Sequence, residues 1–440
     1  MTVRPGKNLF RAAVSLAVAS VLTAFWPVLI FVLLLAVSVM AVAAAYDYRR
    51  LRELVGQVSV RRSLPQVVGR GRTFVVRLTF SNGGARPLAG EVRDVFPDAA
   101  QPRLVVHRIS LARHDSAQSS IECSIPERGR HRFGPTWVRV YGPLRLVEGQ
   151  RAVECPGEIK VLPETFASRE QLQKDLGAEL RLLDRMQRSR LHGAGSEFES
   201  LYPFRLGDDP RRIDWRATAR QQELVVRRFQ IERHRDVMIL VDSGRQMGAE
   251  IGDGTKLDCA IDAALNLARV ALHSGDRCGI GAYDRQVRGF LPPISGATAL
   301  KSLVECMFDL QTQWHESEFT PMLAELRARR SKRTFLILIS DVSDAETSKR
   351  LCASLQQLQR QHLVLFAALR TPLLHQIVNA RLANAQDAAK KAVAFRLLRD
   401  RARALHALRR GGVHVLDVEP QQLTLPLVNQ FVELRQRNLL

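Results

Sequence analysis

A chain of 440 residues with a formal net charge of +21 has room for about three domains. Its 46% hydrophobic and 25% charged residues exclude wholesale disorder, and Gly 27 and Pro 19 are too few for a collagenous or low-complexity protein. The six cysteines are scattered without a C-x-x-C pair, against a disulfide scaffold or zinc ribbon, and the positive charge is spread out rather than clustered, against nucleic-acid binding.

The chain opens with an uncharged run of 34 residues, Ala12 to Ala45. One spanning helix needs about 20 such residues, so the run is long for one helix and short for two. Trp26-Pro27 falls near its middle, where proline breaks a helix. Two helices of about 15 to 17 residues, turning at Phe25-Trp26-Pro27, fit this pattern. Arg4, Lys7 and Arg11 precede the run and Arg49, Arg50 and Arg52 follow it, so the positive-inside rule puts both ends in the cytoplasm. A cleaved signal peptide is the alternative, but its apolar region is only about 7 to 15 residues long. Residues 1–50 are therefore expected to form a transmembrane helical hairpin, with the remainder cytosolic.

Residues 51–163 read as a small β-sandwich. Val58–Val60, Thr73–Phe80, Arg103–His107 and Thr136–Tyr141 are β-branched or aromatic runs separated by Gly-rich turns. Residues 164–235 connect this region to the next. Leu172, Leu176, Leu180 and Leu183 give 165–192 the spacing of a connector helix. After it comes GAGSEFESLYPFRLGDDPRRIDWRATAR, residues 193–220, with a mixed aromatic group (Phe198, Leu201, Tyr202, Phe204) and a turn at Gly207–Pro210. Arg211, Arg212, Asp214, Arg216 and Arg220 surround Trp215, either a surface ion-pair network or a recognition patch with arginine forks for a carboxylate or phosphate. Trp215 is expected to be buried, with Asp214 paired to a nearby arginine.

Residues 236–440 alternate short apolar strands with helices. The strands are Val237–Val241, Cys278–Tyr283, Thr334–Ile339, His362–Ala367 and Val413–Leu416. Such continuous apolar runs predict an α/β domain with a doubly wound parallel sheet covered on both faces. Its ligands belong at the carboxyl ends of the strands. Asp242 and Asp341 stand at two such ends, either as loop residues or as a hard-cation site suited to Mg2+. The basic stretch Lys390–Arg410 reads as an outer helix of this domain, with a membrane-surface helix as the alternative.

The 193–220 passage resembles the signature of a bacterial family catalogued as domain of unknown function 58. Lys256-Leu-Asp258, Gly275-Asp276-Arg277 and Arg410–Leu416 look like that family too. The resemblance implies an inner-membrane, multi-pass protein carrying a von Willebrand factor A-like domain, often paired with a MoxR-type AAA+ ATPase. Such domains usually carry a metal-ion-dependent adhesion site: D-x-S-x-S, a later threonine and a second aspartate. Here Asp242, Thr320 and Asp341 match, but Gly244 and Gln246 occupy the two serine positions and Ser243 is displaced by one. Either the loop holds Mg2+ with water in place of the two hydroxyls, or Arg245 stands in for the metal beside Asp242 or Asp341.

No catalytic constellation accompanies these residues. Gly252–Lys256 lacks the Gly-Lys-Ser/Thr of a phosphate loop and reads as a turn with Thr255 capping a helix. There is no H-E-x-x-H and no G-x-S-x-G, and Asp208-Asp209 is turn chemistry. The leading reading is a non-enzymatic, membrane-anchored scaffold or adaptor binding a cytosolic protein. The alternatives are a metal-assisted hydrolase using Asp242, Asp341 and Asp344, or a periplasmic adhesion-type protein.

Overall fold

Two helices carry the uncharged N-terminal run in the computed structural model, which describes residues 1–22, 26, 28–163, 197–205, 210–230, 235–329, 332–342, 345–381 and 384–436. The connector helix expected over 165–192 lies outside the described residues, as do Phe25, Pro27, Gly207–Asp209 and Asp344. The chain divides into two units, Met1–Leu162 and Pro163–Leu440.

In the first unit, α1 is Lys7–Leu22 and α2 is Leu29–Gln57. Among the described residues, only α2 is long and apolar enough to cross a membrane. At 29 residues it outruns the expected length, because its last turns exchange an apolar surface for a protein core. Leu51, Leu54 and Val55 are buried there, each worth about 1.5–3 kcal/mol relative to exposure. Asp47, also buried, accepts N–H bonds from Leu144 (2.8 Å), Leu146 (2.9 Å) and Val147 (3.0 Å). These bonds tie the helix to a turn whose Gly142 has no room for a side chain, since a Cβ there would lie 2.4 Å from the Asp47 carboxylate.

The core that receives α2 is enclosed by three small sheets. One contains β2 (Val58–Ser63), β4 (Phe74–Asn82) and β7 (Ser116–Cys123). The second orders β3 (Val67–Gly69), β11 (Gly157–Leu162) and β8 (Gly129–Phe133). The third runs β1 (Thr2–Pro5), β10 (Val147–Val153), β9 (Thr136–Tyr141), β5 (Leu88–Val95) and β6 (Leu104–Leu111). Strand alternation sends Phe74, Val76, Leu78 and Phe80 of β4 inward. The first strand pairs with β10, setting Thr2 opposite Gln150 and Pro5 opposite Val147. Both the approach to α1 and the end of α2 are thus held by the same β-body.

The second unit begins with an antiparallel pair, β12 (Glu197–Pro203) and β13 (Val225–Gln230), with α3 (Trp215–Gln221) between them. Its main sheet has six strands in the order β18-β17-β14-β19-β20-β21. These are β14 (Asp236–Asp242), β17 (Arg277–Tyr283), β18 (Val287–Ile294), β19 (Phe335–Ser340), β20 (Leu363–Leu369) and β21 (His414–Val418). A small β15–β16 hairpin (Glu250–Ile251 and Gly254–Thr255) precedes α4 (Lys256–His273). The remaining helices are α5 (Ala299–Met307), α6 (Phe319–Arg329), α7 (Ala345–Gln359), α8 (Pro372–Asn379), α9 (Ala385–Arg410) and α10 (Thr424–Gln436).

Five strands run parallel, as their apolar runs predict, but β18 is an antiparallel edge to β17. The all-parallel expectation is corrected there. Pro292 and Pro293 disguise the strand in the sequence, and an edge tolerates them because one side of its backbone needs no ladder partner. On one face Met238, Leu240, Leu336, Leu338, Val364 and Phe366 pack beneath Phe319, Met322, Leu355, Leu405 and Leu408 from α6, α7 and α9. On the other, Phe335 stacks on Phe431 of α10 at 5.7 Å. From β14 the chain goes first to β17 on one side and later to β19 on the other. That reversal opens a crevice at the carboxyl ends of β14 and β19.

Candidate functional site

Asp242 ends β14 and Asp341 follows β19, so the sheet brings these two carboxylates to adjacent strand ends; both are buried. Asp242 accepts three hydrogen bonds: the Gly244 N–H at 2.8 Å and the hydroxyls of Ser317 and Ser340 at 2.5 Å each. Burial pushes its carboxyl pKa up, the three donors pull it back, and the nearby Asp341 charge adds to the rise.

Ser317 occupies the place that a side chain at position 244 would need. A Cβ on Gly244 would lie 2.0 Å from Ser317 Oγ. The hydroxyl absent from position 244 is therefore supplied by a distant loop. Ser243 does not supply it, because its hydroxyl donates to the Tyr283 carbonyl at 3.0 Å. Gln246 lies in the short helical turn Arg245–Gly248. Thr320 is exposed on α6, and among the described residues no hydrogen bond joins it to Asp242 or Asp341. Arg245 pairs with Glu316 at 3.3 Å, which corrects its expected pairing with a strand-end aspartate.

Asp341 is held by other cations. Lys256 donates to its Oδ2, Thr371 donates to the same oxygen at 3.3 Å, and Arg401 Nη1 donates to Oδ1 at 2.7 Å. The Lys256 ammonium also donates to Thr371 Oγ1 at 2.6 Å. Arg401 continues to Asp417 at 2.9 Å, where Arg370 binds at 3.1 and 3.3 Å. Burial alone would raise the Asp417 carboxyl pKa, but these two guanidinium groups outweigh it and hold the pKa below the ordinary value.

Local sequence positions Lys256. Thr255 caps α4 by accepting the Asp258 N–H at 3.2 Å, while Asp258 accepts the Thr255 N–H at 2.7 Å. This reciprocal box fixes the first turn, with Lys256 as its first residue. Thr255 therefore caps the helix as the sequence predicts.

The signature residues lie on the β12–β13 pair and α3, not on the strand-end ladder. Asp214 is the N-cap of α3, accepting the N–H groups of Arg216 and Ala217 at 3.0 Å each. Trp215 is 68% exposed, which corrects the expectation that it is buried. Val225 and Val226 bury themselves instead, and the Thr218 hydroxyl ties the helix to the strand by accepting the Val225 N–H at 3.1 Å. Arg211, Arg216 and Arg220 are exposed, and the Arg212 side chain lies outside the described residues. Of the expected aromatic group, Leu201 is exposed, Tyr202 and Phe204 are half-buried, and the Phe198 side chain is outside the described residues.

Sequence reasoning missed Lys256, Ser317, Ser340, Thr371, Arg401 and Asp417. Ser340, adjacent to Asp341 at the end of an apolar run, was the one with a visible local signal. It also missed Trp314, 88% exposed on the loop that delivers Ser317. That loop is pinned to the strand end by the Gln313 N–H to Ser243 O and the Arg245 N–H to His315 O, both 2.9 Å.

A mixed α/β unit with polar side chains converging at its central strand ends is the class these observations define. Residues 200–407 match the family described as "Protein of unknown function DUF58". No curated protein matches the chain. Among solved structures, the CARDB domain of a Pyrococcus furiosus protein is similar at 15% identity and TM-score 0.18, covering 24% of this chain and 87% of that one. Proximal thread matrix protein 1 from the mussel byssus is similar at 9% identity and TM-score 0.27, covering 46% of each chain.

Proposed function

We propose that this chain is a non-enzymatic, membrane-anchored scaffold or adaptor whose α/β unit, read as von Willebrand factor A-like, binds a cytosolic protein partner. The observation that carries the reading is Trp314. An indole 88% exposed, on a loop hydrogen-bonded to the strand-end crevice, is an anchor awaiting a protein surface. The exposed Trp215, with Arg211, Arg216 and Arg220 close in sequence, offers a second contact region. The proposed partner is a MoxR-type AAA+ ATPase acting in assembly or remodelling of a client complex. Coupling to that ATPase would leave the present chain to recognise and hold.

The anchor is proposed to be a helical hairpin in the bacterial inner membrane, with both soluble regions in the cytoplasm. Attachment of β1 and of the end of α2 to one β-body supports this topology. A chain that leaves and returns to the same body must cross an even number of times. The 16 residues of α1 reach about 24 Å, slightly less than the roughly 30 Å apolar thickness of a bilayer.

Co-purification from gently solubilised membranes tests the scaffold reading. Wild type should retain an ATPase partner, and Trp314→Ala should lose it without losing its own fold. Recovery of no partner from wild type refutes the proposal. A C-terminal reporter tests the topology: a reporter active only in the cytoplasm should work, and periplasmic activity would overturn the hairpin.

A further inference from the structure

We infer that Lys256 is the resident cation of the strand-end crevice, and that this site is built and held without a divalent metal. The inference goes beyond the scaffold reading and does not depend on it.

A magnesium ion asks for six oxygen ligands in near-octahedral array. The two aspartates that would supply its charge are already committed. Both oxygens of Asp341 accept bonds, from Lys256 and Thr371 on one and from Arg401 on the other. Both oxygens of Asp242 accept as well, from Gly244 and Ser317 on one and Ser340 on the other. Thr320 is exposed on α6, and among the described residues no hydrogen bond joins it to either aspartate. The donors present therefore do not fit a hexacoordinate divalent ion.

Charge balance points the same way. Asp341 and Asp417 already pair with Lys256, Arg370 and Arg401, three cations against two acids. Adding a divalent ion beside Asp341 would bring two more positive charges to a carboxylate already paired with buried Lys256 and Arg401, unless one of them withdrew. Lys256 is only 1% exposed, so withdrawal would require opening the start of α4.

The position of Lys256 also needs a tertiary explanation. A cation in the first turn of a helix opposes the helix dipole, and burying an ammonium is costly unless it is paired and hydrogen-bonded. Contact with Asp341 and Thr371 at the ends of two neighbouring strands supplies both. One side chain thereby bridges α4, β19 and the segment after β20, the bridging role that a metal ion would otherwise perform.

The test uses the full chain in detergent. Manganese binding is followed by electron paramagnetic resonance, and thermal melts are recorded with magnesium, with chelator and with neither. Wild type should bind no manganese above the level seen in Asp341→Asn, and its midpoint should be the same in all three conditions. Lys256→Met should melt lower by an amount that magnesium does not change. A wild-type midpoint raised by about 5 to 10 °C at metal concentrations near 100 times Kd, and restored by chelator, would overturn the inference. So would a Lys256→Met chain that melts with wild type. If that variant does not fold, the wild-type titration alone decides.

Discussion

Replacing Asp341 with asparagine removes one negative charge from beneath two buried cations while nearly preserving shape. Sequence alone suggests a mild effect, since a carboxylate at a strand end looks like a loop group. In the structure the side chain is 2% exposed and paired with Lys256 and Arg401, whose side chains are 1% and 9% exposed. Removing one member of a buried ion pair typically costs about 3–5 kcal/mol, because the remaining charge is left without compensation. Arg401 keeps Asp417 as a second partner, so the larger share of the loss falls on Lys256. For a unit of this size the midpoint of thermal unfolding should fall on the order of 10 °C. Circular dichroism melts of the full chain in detergent measure it, with urea titration as an independent check. A midpoint within about 2 °C of wild type would show that the cluster contributes little and that its apparent burial does not govern stability.

Three further outcomes follow from particular contacts. Trp215→Ala should leave the melting midpoint almost unchanged, by under about 0.5 kcal/mol equivalent, because the ring is exposed; a large loss would mean the indole is buried after all. Gly244→Ala should destabilise by about 1–3 kcal/mol, since its Cβ would meet Ser317 Oγ at 2.0 Å. Adding Ser317→Ala should recover part of that loss, and strictly additive costs in a double-mutant cycle would refute the steric account. Asp276, buried beside Arg435, has its carboxyl pushed up from 3.8 to about 6, chiefly by burial. The folded state therefore holds its proton more tightly, and this group's contribution to stability falls as pH rises from about 4 to 6, by up to about 3 kcal/mol. Asp276→Asn should remove that component from the pH profile measured by denaturant titration; an unchanged profile would refute it.

What the sequence determined is mainly local. Uninterrupted apolar runs announced β14, β17, β19 and β20, because a parallel strand covered on both faces leaves no polar positions. Thr255 at the end of the Gly252–Lys256 turn announced the start of α4, since capping needs only that side chain and the adjacent backbone. The break in the N-terminal uncharged run followed from proline chemistry, and the two strand-end aspartates followed from where their apolar runs stop. Tertiary structure alone decided what those aspartates meet. Lys256 and Arg401 reach Asp341 across 85 and 60 residues of chain, and Ser317 reaches Asp242 across 75. Asp47 finds its amide donors about 100 residues away. Periodicity records which face of an element is apolar, but not which other element covers it. For that reason the carboxylates were legible as residues at strand ends, while their neutralisation by lysine and arginine was decided only when the crossovers closed the sheet.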